Sequence, residues 1–276
     1  MQHKYFVLCY FLGNLAIGTA SAQTPETPDQ NGATAVDPIF KPSGSVEAGG
    51  DYQGVSNGFG DWFGQYAKGE IQTDKNNNWN GELLHQREFG TTGTYAALGN
   101  THTFNQDWYS TVDIGGGAGG EFLPRQRVDV FINRKWLDQR QLITTIGLGE
   151  DHAMDSHSDR SIFFGGTYYF AAPWIVQGGI RFNESDPGSI EATSQFVAVT
   201  QGRDKEHFLT LRYGFGKEAY QIIDNDQTLS NFNSQQVSLQ LKEWVGKDWG
   251  FDTTAEAYHN PNYDRNGITF GIFKEF

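Results

Sequence analysis

The stretch Trp174-Ile175-Val176-Gln177-Gly178-Gly179-Ile180-Arg181-Phe182-Asn183 decides the fold. Trp174, Val176, Gly178, Ile180 and Phe182 form one series, while Gln177, Arg181 and Asn183 fall in the other. A period of two puts the two series on opposite faces of a strand. One face is apolar and the other polar, which suits a wall with lipid on one side and water on the other.

The same alternation extends in both directions. Val128, Val130 and Ile132 alternate with Arg127, Asp129, Phe131 and Asn133. Ile162, Phe164, Gly166, Tyr168 and Phe170 share a face, as do Leu209, Leu211, Tyr213 and Phe215. Val237, Leu239 and Leu241 oppose Ser238, Gln240 and Lys242; Trp249, Phe251, Thr253, Ala255 and Ala257 oppose Asp252, Glu256 and Tyr258. Strands are predicted to begin near residues 45, 60, 78, 91, 107, 124, 140, 158, 173, 190, 206, 234, 247 and 266. That makes about fourteen. The second, third, fourth and tenth have ambiguous faces, so twelve is the lower count. The fold class is all-β: a transmembrane antiparallel up-and-down β-barrel.

Connections and tryptophans support this reading. Short turns are expected at 104–107, 137–139, 171–173, 202–205 and 246–248, and longer loops at 149–160, 184–191, 217–235 and 260–267. Alternation of short turns with long loops is characteristic of an outer-membrane barrel. Trp79, Trp108, Trp136, Trp174, Trp244 and Trp249 all lie beside the predicted short turns, and only Trp62 lies toward the other rim. Indole favours the membrane interface, so these six are expected to form a girdle on the periplasmic side. The last strand, Asn266–Phe276, ends on an aromatic, as barrels handed to the outer-membrane assembly machinery do. Lys274 interrupts its apolar face where the side chain could snorkel to the headgroups.

Composition excludes several classes. The chain has 276 residues, 33 acidic and 20 basic, for a net charge of −13. Aromatics at 14% argue against bulk disorder. An acidic balance without a basic stripe argues against nucleic acid as a partner. Beyond the N-terminus no run is long and apolar enough for a membrane helix. A mean hydropathy of −0.54 is compatible with a barrel, since half of each strand faces a polar lumen.

Residues 1–22 read as an export signal: Lys4, an apolar stretch from Tyr5 to Gly18, then Ala20-Ser21-Ala22 before the cleavage point. The only cysteine, Cys9, lies inside it. Residues 23–43 read as a disordered periplasmic linker carrying Pro25, Pro28, Pro38 and Pro42, and the barrel is expected over 44–276. The expected location is the outer membrane.

Several blocks resemble the YaiO family of outer-membrane proteins. They include Gly58-Phe59-Gly60-Asp61-Trp62, Gln86-Arg87-Glu88-Phe89-Gly90 and the run Ala97–Phe104. Phe122-Leu123-Pro124-Arg125, Ala172–Val176, Ser194–Lys205 and the ending Phe273-Lys274-Glu275-Phe276 also fit. The resemblance spans about residue 44 to the C-terminus. It implies an outer-membrane barrel in a Gram-negative envelope, associated with surface-polysaccharide systems. It implies no catalytic residues.

The alternation points Asp113, Arg125, Arg127, Asp129, Arg181, Arg212, Lys242, Asp252 and Glu256 into the lumen. An arginine facing lipid at mid-depth would cost about 2–4 kcal/mol. Tyr109, Phe131, Phe163, Tyr169 and Tyr258 are expected inside as well. These inward charges are read either as structural ion pairs or as the lining of a passage for anionic or polyhydroxylated solutes. The densest polar segment is 150–160, where His152, Asp155, His157 and Asp159 are weak candidates for a divalent cation. Ser156 and Ser158 beside those histidines give an alternative, a rim hydrolase acting on lipid or sugar, with Asp151 or Asp159 orienting a histidine. A third reading is a non-catalytic surface receptor using the segment 217–235. The run Gly115-Gly116-Gly117-Ala118-Gly119-Gly120 lacks the lysine of a phosphate loop and is read as a close approach or a flexible loop edge. The leading expectation is a channel or accessory barrel serving exopolysaccharide passage. No cofactor is expected. The partners are outer-membrane lipid, the assembly machinery through the strand ending at Phe276, and polysaccharide.

Overall fold

The computed structural model describes residues 40–171, 173–224 and 227–276, with the side chains of 222–229 excepted. The expected export signal lies outside the described residues, as does the expected linker up to residue 39. The described residues form strands and turns only.

Fourteen strands follow one another: β1 (Ser43–Val55), β2 (Trp62–Gln72), β3 (Asn77–Glu88), β4 (Thr91–Thr103), β5 (Trp108–Gly119), β6 (Pro124–Trp136) and β7 (Leu142–Ala153). Then come β8 (Ser158–Tyr169), β9 (Trp174–Asp186), β10 (Ile190–Arg203), β11 (His207–Asp224), β12 (Gln227–Trp244), β13 (Trp249–His259) and β14 (Asp264–Glu275). Each pairs antiparallel with its sequence neighbours, and β1 pairs with β14 to close the barrel. Closure lets every strand complete its ladder on both sides, the condition for crossing lipid without a helix. Strands of eleven to fourteen residues, such as β2 and β10, are long enough to span a bilayer when tilted. We call the end holding Ser43 and Glu275 the base and the opposite end the crown.

The outer wall is apolar. Leu148 is 60% exposed and Ile146 56%. So large an apolar surface identifies a face made for lipid. Five tryptophans stand exposed on it at the base: Trp79, Trp108, Trp136, Trp174 and Trp249. Trp244 departs from expectation. It is on the inner face of β12, 7% exposed, and packs against Phe273 and Phe208 at ring-centre distances of 5.2 and 5.8 Å. Parity places it there, because the inward series Ser238, Gln240 and Lys242 continues to Trp244. Lys274 stays outside and bonds Asp248 in the β12–β13 turn at 2.6 Å.

The long crown loops are also corrected. Most of the residues assigned to them are paired strand. Residues 154–157 alone separate β7 from β8, and 187–189 separate β9 from β10. β11 and β12 pair from His207↔Glu243 to Asp224↔Gln227, so the expected 217–235 loop is an extended hairpin. Above the membrane both faces of a strand are wet. The apolar–polar alternation disappears there although the hydrogen-bond ladder continues.

Candidate functional site

The inner wall is polar, and the alternation that builds the strands also builds it. Asp113 on β5, Asp129 on β6 and Asp252 on β13 are buried inward residues. Arg127 Nε donates to Asp129 Oδ2 at 2.6 Å. Arg181 on β9 reaches the same carboxylate at 3.8 Å and donates from Nη1 to Ser161 Oγ at 2.7 Å. Asp129 thus joins two guanidinium groups across four strands. Register sets Asp151 opposite Arg127, and Asp159 opposite Asp151. Asn183 Nδ2 donates to Asp159 Oδ1 at 2.9 Å, and the Ser185 hydroxyl also bonds that oxygen. One side of the barrel therefore carries a connected acidic and arginine-bearing patch.

The opposite side carries others. Glu47 Oε1 accepts from Tyr66 Oη at 2.7 Å and pairs with Lys68 Nζ at 2.9 Å. Glu256 accepts from Gln236 at 2.9 Å and pairs with Arg265 at 3.0 Å. Gln240 donates to Asp252 at 3.0 Å. Lys242, 2% exposed, lies 4.0 Å from the ring centre of Phe273 and 4.8 Å from that of Trp244. Arg212 stacks over Phe196 at 4.2 Å. The wall thus places Asp113, Arg127, Asp129, Arg181, Arg212, Lys242, Asp252 and Glu256 inward, but distributes them over separate clusters.

Arg125 does not join them. The β6–β7 register shifts between Pro124 and Gln126, and Arg125 at this irregularity is exposed. A bulge adds one residue and breaks the period-two inference at that point. The aromatics Tyr109, Phe131, Phe163 and Tyr258 are buried inside.

The glycine run has a steric reason. A Cβ on Gly115 would collide with the Tyr95 side chain, and one on Gly117 would come within 2.9 Å of the Leu123 Cβ. Close approach is what the run serves here. Phe122 and Leu123 turn inward with it and pack with Leu84 and Tyr95.

At the crown the upper part of the β11–β12 hairpin lies above the last pairs with its neighbours, Ser194↔Gly216 and Gln235↔His259. A hairpin standing in water would be exposed on both faces. This one buries Glu218, Ala219, Gln221, Phe232 and Ser234. Tyr258 Oη donates to Glu218 Oε1 at 2.7 Å, and Gln221 Nε2 donates to Tyr263 Oη at 2.5 Å. Beneath it Trp62, Phe59, Phe89 and Tyr263 pack edge to face, and Arg265 lies over Trp62 and Tyr258 at 4.8 and 4.9 Å. Sequence reasoning missed this crown cluster, because its members come from six separate segments. Only Tyr258 is placed inside by its strand pattern.

The segment 150–160 does not assemble one centre. His152 is exposed on the outer series of β7, whereas Asp159 lies on the inner series of β8. Asp155 and His157 occupy the connection, with Nδ1 to Oδ2 at 2.5 Å. His157 also packs on Tyr220 at 4.4 Å. The expectation that Asp155, His157 and Asp159 share an extended face gives way to the turn at 154–157. Among the described residues no three metal-ligating side chains converge. Ser158 pairs with His152 in the ladder, but the histidine side chain is engaged with Glu150 at 3.7 Å.

Two solved structures agree with this architecture at TM-scores above 0.5, and a third is similar at a lower score. A bacterial polysaccharide outer membrane secretin shares 11% identity at a TM-score of 0.52, over 84% of this chain and 98% of that one. Omp33 of Acinetobacter baumannii shares 9% identity at 0.51, over 83% and 97%. An anion-selective porin from Comamonas acidovorans shares 10% at 0.49, over 86% and 99%. At these identities the likeness concerns the fold alone. A search of curated proteins found no match. The YaiO membrane beta barrel domain matches residues 43–221, and the chain belongs to that family.

Proposed function

We propose that this protein is an outer-membrane channel for polar, polyhydroxylated solutes, with surface polysaccharide as the leading class. The observation that carries the reading is the polar inner wall, where Arg127, Arg181, Asp129 and Asp113 face inward behind an apolar exterior. Charged groups lining a passage set its selectivity. Wall-hugging geometry adds support: Phe163 lies over Gly165 and Gly179, and Tyr95 over Gly115, so large rings extend along the wall. The polysaccharide assignment draws on the family resemblance and on the hydrogen-bonding character of the lining.

Planar-bilayer recording of the full chain tests the reading. Stepwise conductance is expected, and the double substitution Arg127→Gln/Arg181→Gln should shift the reversal potential toward cation preference. Absence of conductance, also after removal of residues 23–42, would overturn the channel. The polysaccharide class is tested separately, by whether soluble oligosaccharide transiently blocks the current.

A further inference from the structure

The outer wall carries a feature that lipid contact alone does not require. On the lipid-facing series, Glu150 pairs with Arg160, Arg160 with Glu184, and Glu184 with Glu191. Four charged side chains therefore stand in one cross-strand row over β7–β10, all exposed. Glu150 Oε1 lies 3.7 Å from Arg160 Nε. Two residues nearer the base, β6–β9 carry an apolar row, Val130↔Leu148, Leu148↔Ile162 and Ile162↔Phe182, which ends at Thr193 on β10. The next row, Ile132↔Ile146, Ile146↔Phe164 and Phe164↔Ile180, is apolar over the same four strands and meets Gln195 on β10. Charge this concentrated is costly in hydrocarbon and tolerated near the interface. On β7–β9 the boundary between acyl chain and headgroup therefore falls between the charged row and the row of Leu148, Ile162 and Phe182.

A concavity of about 760 Å³ opens at this boundary, bordered by Leu148, Ile162, Phe182, Arg160, Glu184 and Glu191 among others. Binding sites for small ligands typically span about 300–1,000 Å³. Its floor is apolar and its upper edge ionic, the profile of an amphiphile held at its headgroup. Three carboxylates to one guanidinium leave the edge net negative. A purely anionic headgroup would meet repulsion there, while an ammonium is attracted. Arg160 presents a planar fork of donors suited to a phosphate oxygen pair.

We propose that this groove binds an ethanolamine glycerophospholipid. Its ammonium sits between Glu184 and Glu191, its phosphate on Arg160, and its acyl chains on Leu148, Ile162 and Phe182. The site is on the opposite side of the wall from the lumen and does not depend on the channel reading.

Native mass spectrometry of the detergent-purified full chain tests it, after incubation with phosphatidylethanolamine, phosphatidylglycerol of the same acyl chains, or lipid A. Phosphatidylethanolamine should be retained about tenfold better than phosphatidylglycerol. Glu184→Gln/Glu191→Gln should reduce it to the phosphatidylglycerol level, and Arg160→Gln should lower both. The Glu191→Gln single variant serves if the double variant loses its folded gel mobility. Equal retention of the two phospholipids, or retention insensitive to these substitutions, overturns the proposal. Preferential retention of lipid A overturns the choice of a glycerophospholipid.

Discussion

Phe163 shows how one side chain depends on residues that have none. Its ring lies against Gly165 of its own strand and Gly179 of the next, and a Cβ at either would meet ring carbons. Gly179→Val should therefore force the ring off its rotamer or the strands apart. A cost of about 1–3 kcal/mol follows from overpacking. A lower urea midpoint for loss of the folded gel mobility would register it. Asp248 makes a different prediction. It lies in the β12–β13 turn, outside the membrane, and the hydrogen bond from Lys274 holds its carboxyl below the usual carboxylate range. A lowered folded-state pKa stabilises the fold above the unfolded value, and that contribution is lost as pH falls through the folded value. Asp248→Asn should flatten the acid side of the stability profile below about pH 4, where a free aspartate titrates. The difference from the unchanged protein is fully present at neutral pH and disappears in acid, and its size should be small because the pair is exposed.

At the scale of elements, the β11–β12 hairpin is the part whose strand pattern misleads. Its upper half is paired strand that leans onto the crown cluster. Two residues of the hairpin have unusual backbone conformations. Gly216 has φ +152°, and a Cβ there would strike the backbone of Thr193 and Ser194. Asn231, on the facing strand, has φ +52°. Gly216 stands at the last pair with β10, and Asn231 lies beyond the last pair with β13. Tyr258→Phe would remove the donor to Glu218, a residue with no exposed surface. Leaving a buried acceptor short of a partner costs about 1–3 kcal/mol. The hairpin should then open more often, and trypsin should cut after the exposed Lys217 faster than in the unchanged protein. Equal cleavage rates would show that the Tyr258–Glu218 bond does not hold the hairpin.

The whole molecule makes a prediction about its tryptophans. Five stand on the lipid face at the base, while Trp62 and Trp244 are buried inside at 1% and 7% exposure. Brominated lipid should quench the five and spare the two. Trp62→Phe/Trp244→Phe should therefore raise the quenched fraction of fluorescence, whereas a girdle of six would lose quenched signal when Trp244 is replaced. Steady-state quenching in bilayers decides between them.

Much of this architecture is legible in the chain itself. Period two is enforced wherever one face of a strand meets lipid and the other meets water. Strand number, order and inward charges such as Arg181 and Asp252 follow from it by local reading. The reading failed where that physical contrast is absent. Above the bilayer both faces are polar, so paired strand in 217–235 looks like loop. At a bulge one extra residue reverses parity, so Arg125 points away from its expected row. Inside the base, Trp244 is as apolar as a girdle residue, and only its strand's parity identifies it. The sequence alone determined that this chain closes a polar lumen behind an apolar wall, because each strand carries that instruction locally. Tertiary structure alone decided which polar residues meet. The joining of Arg127 and Arg181 through Asp129, the Glu150–Arg160–Glu184–Glu191 row and the crown cluster all depend on register between strands, and register is a property of the closed barrel.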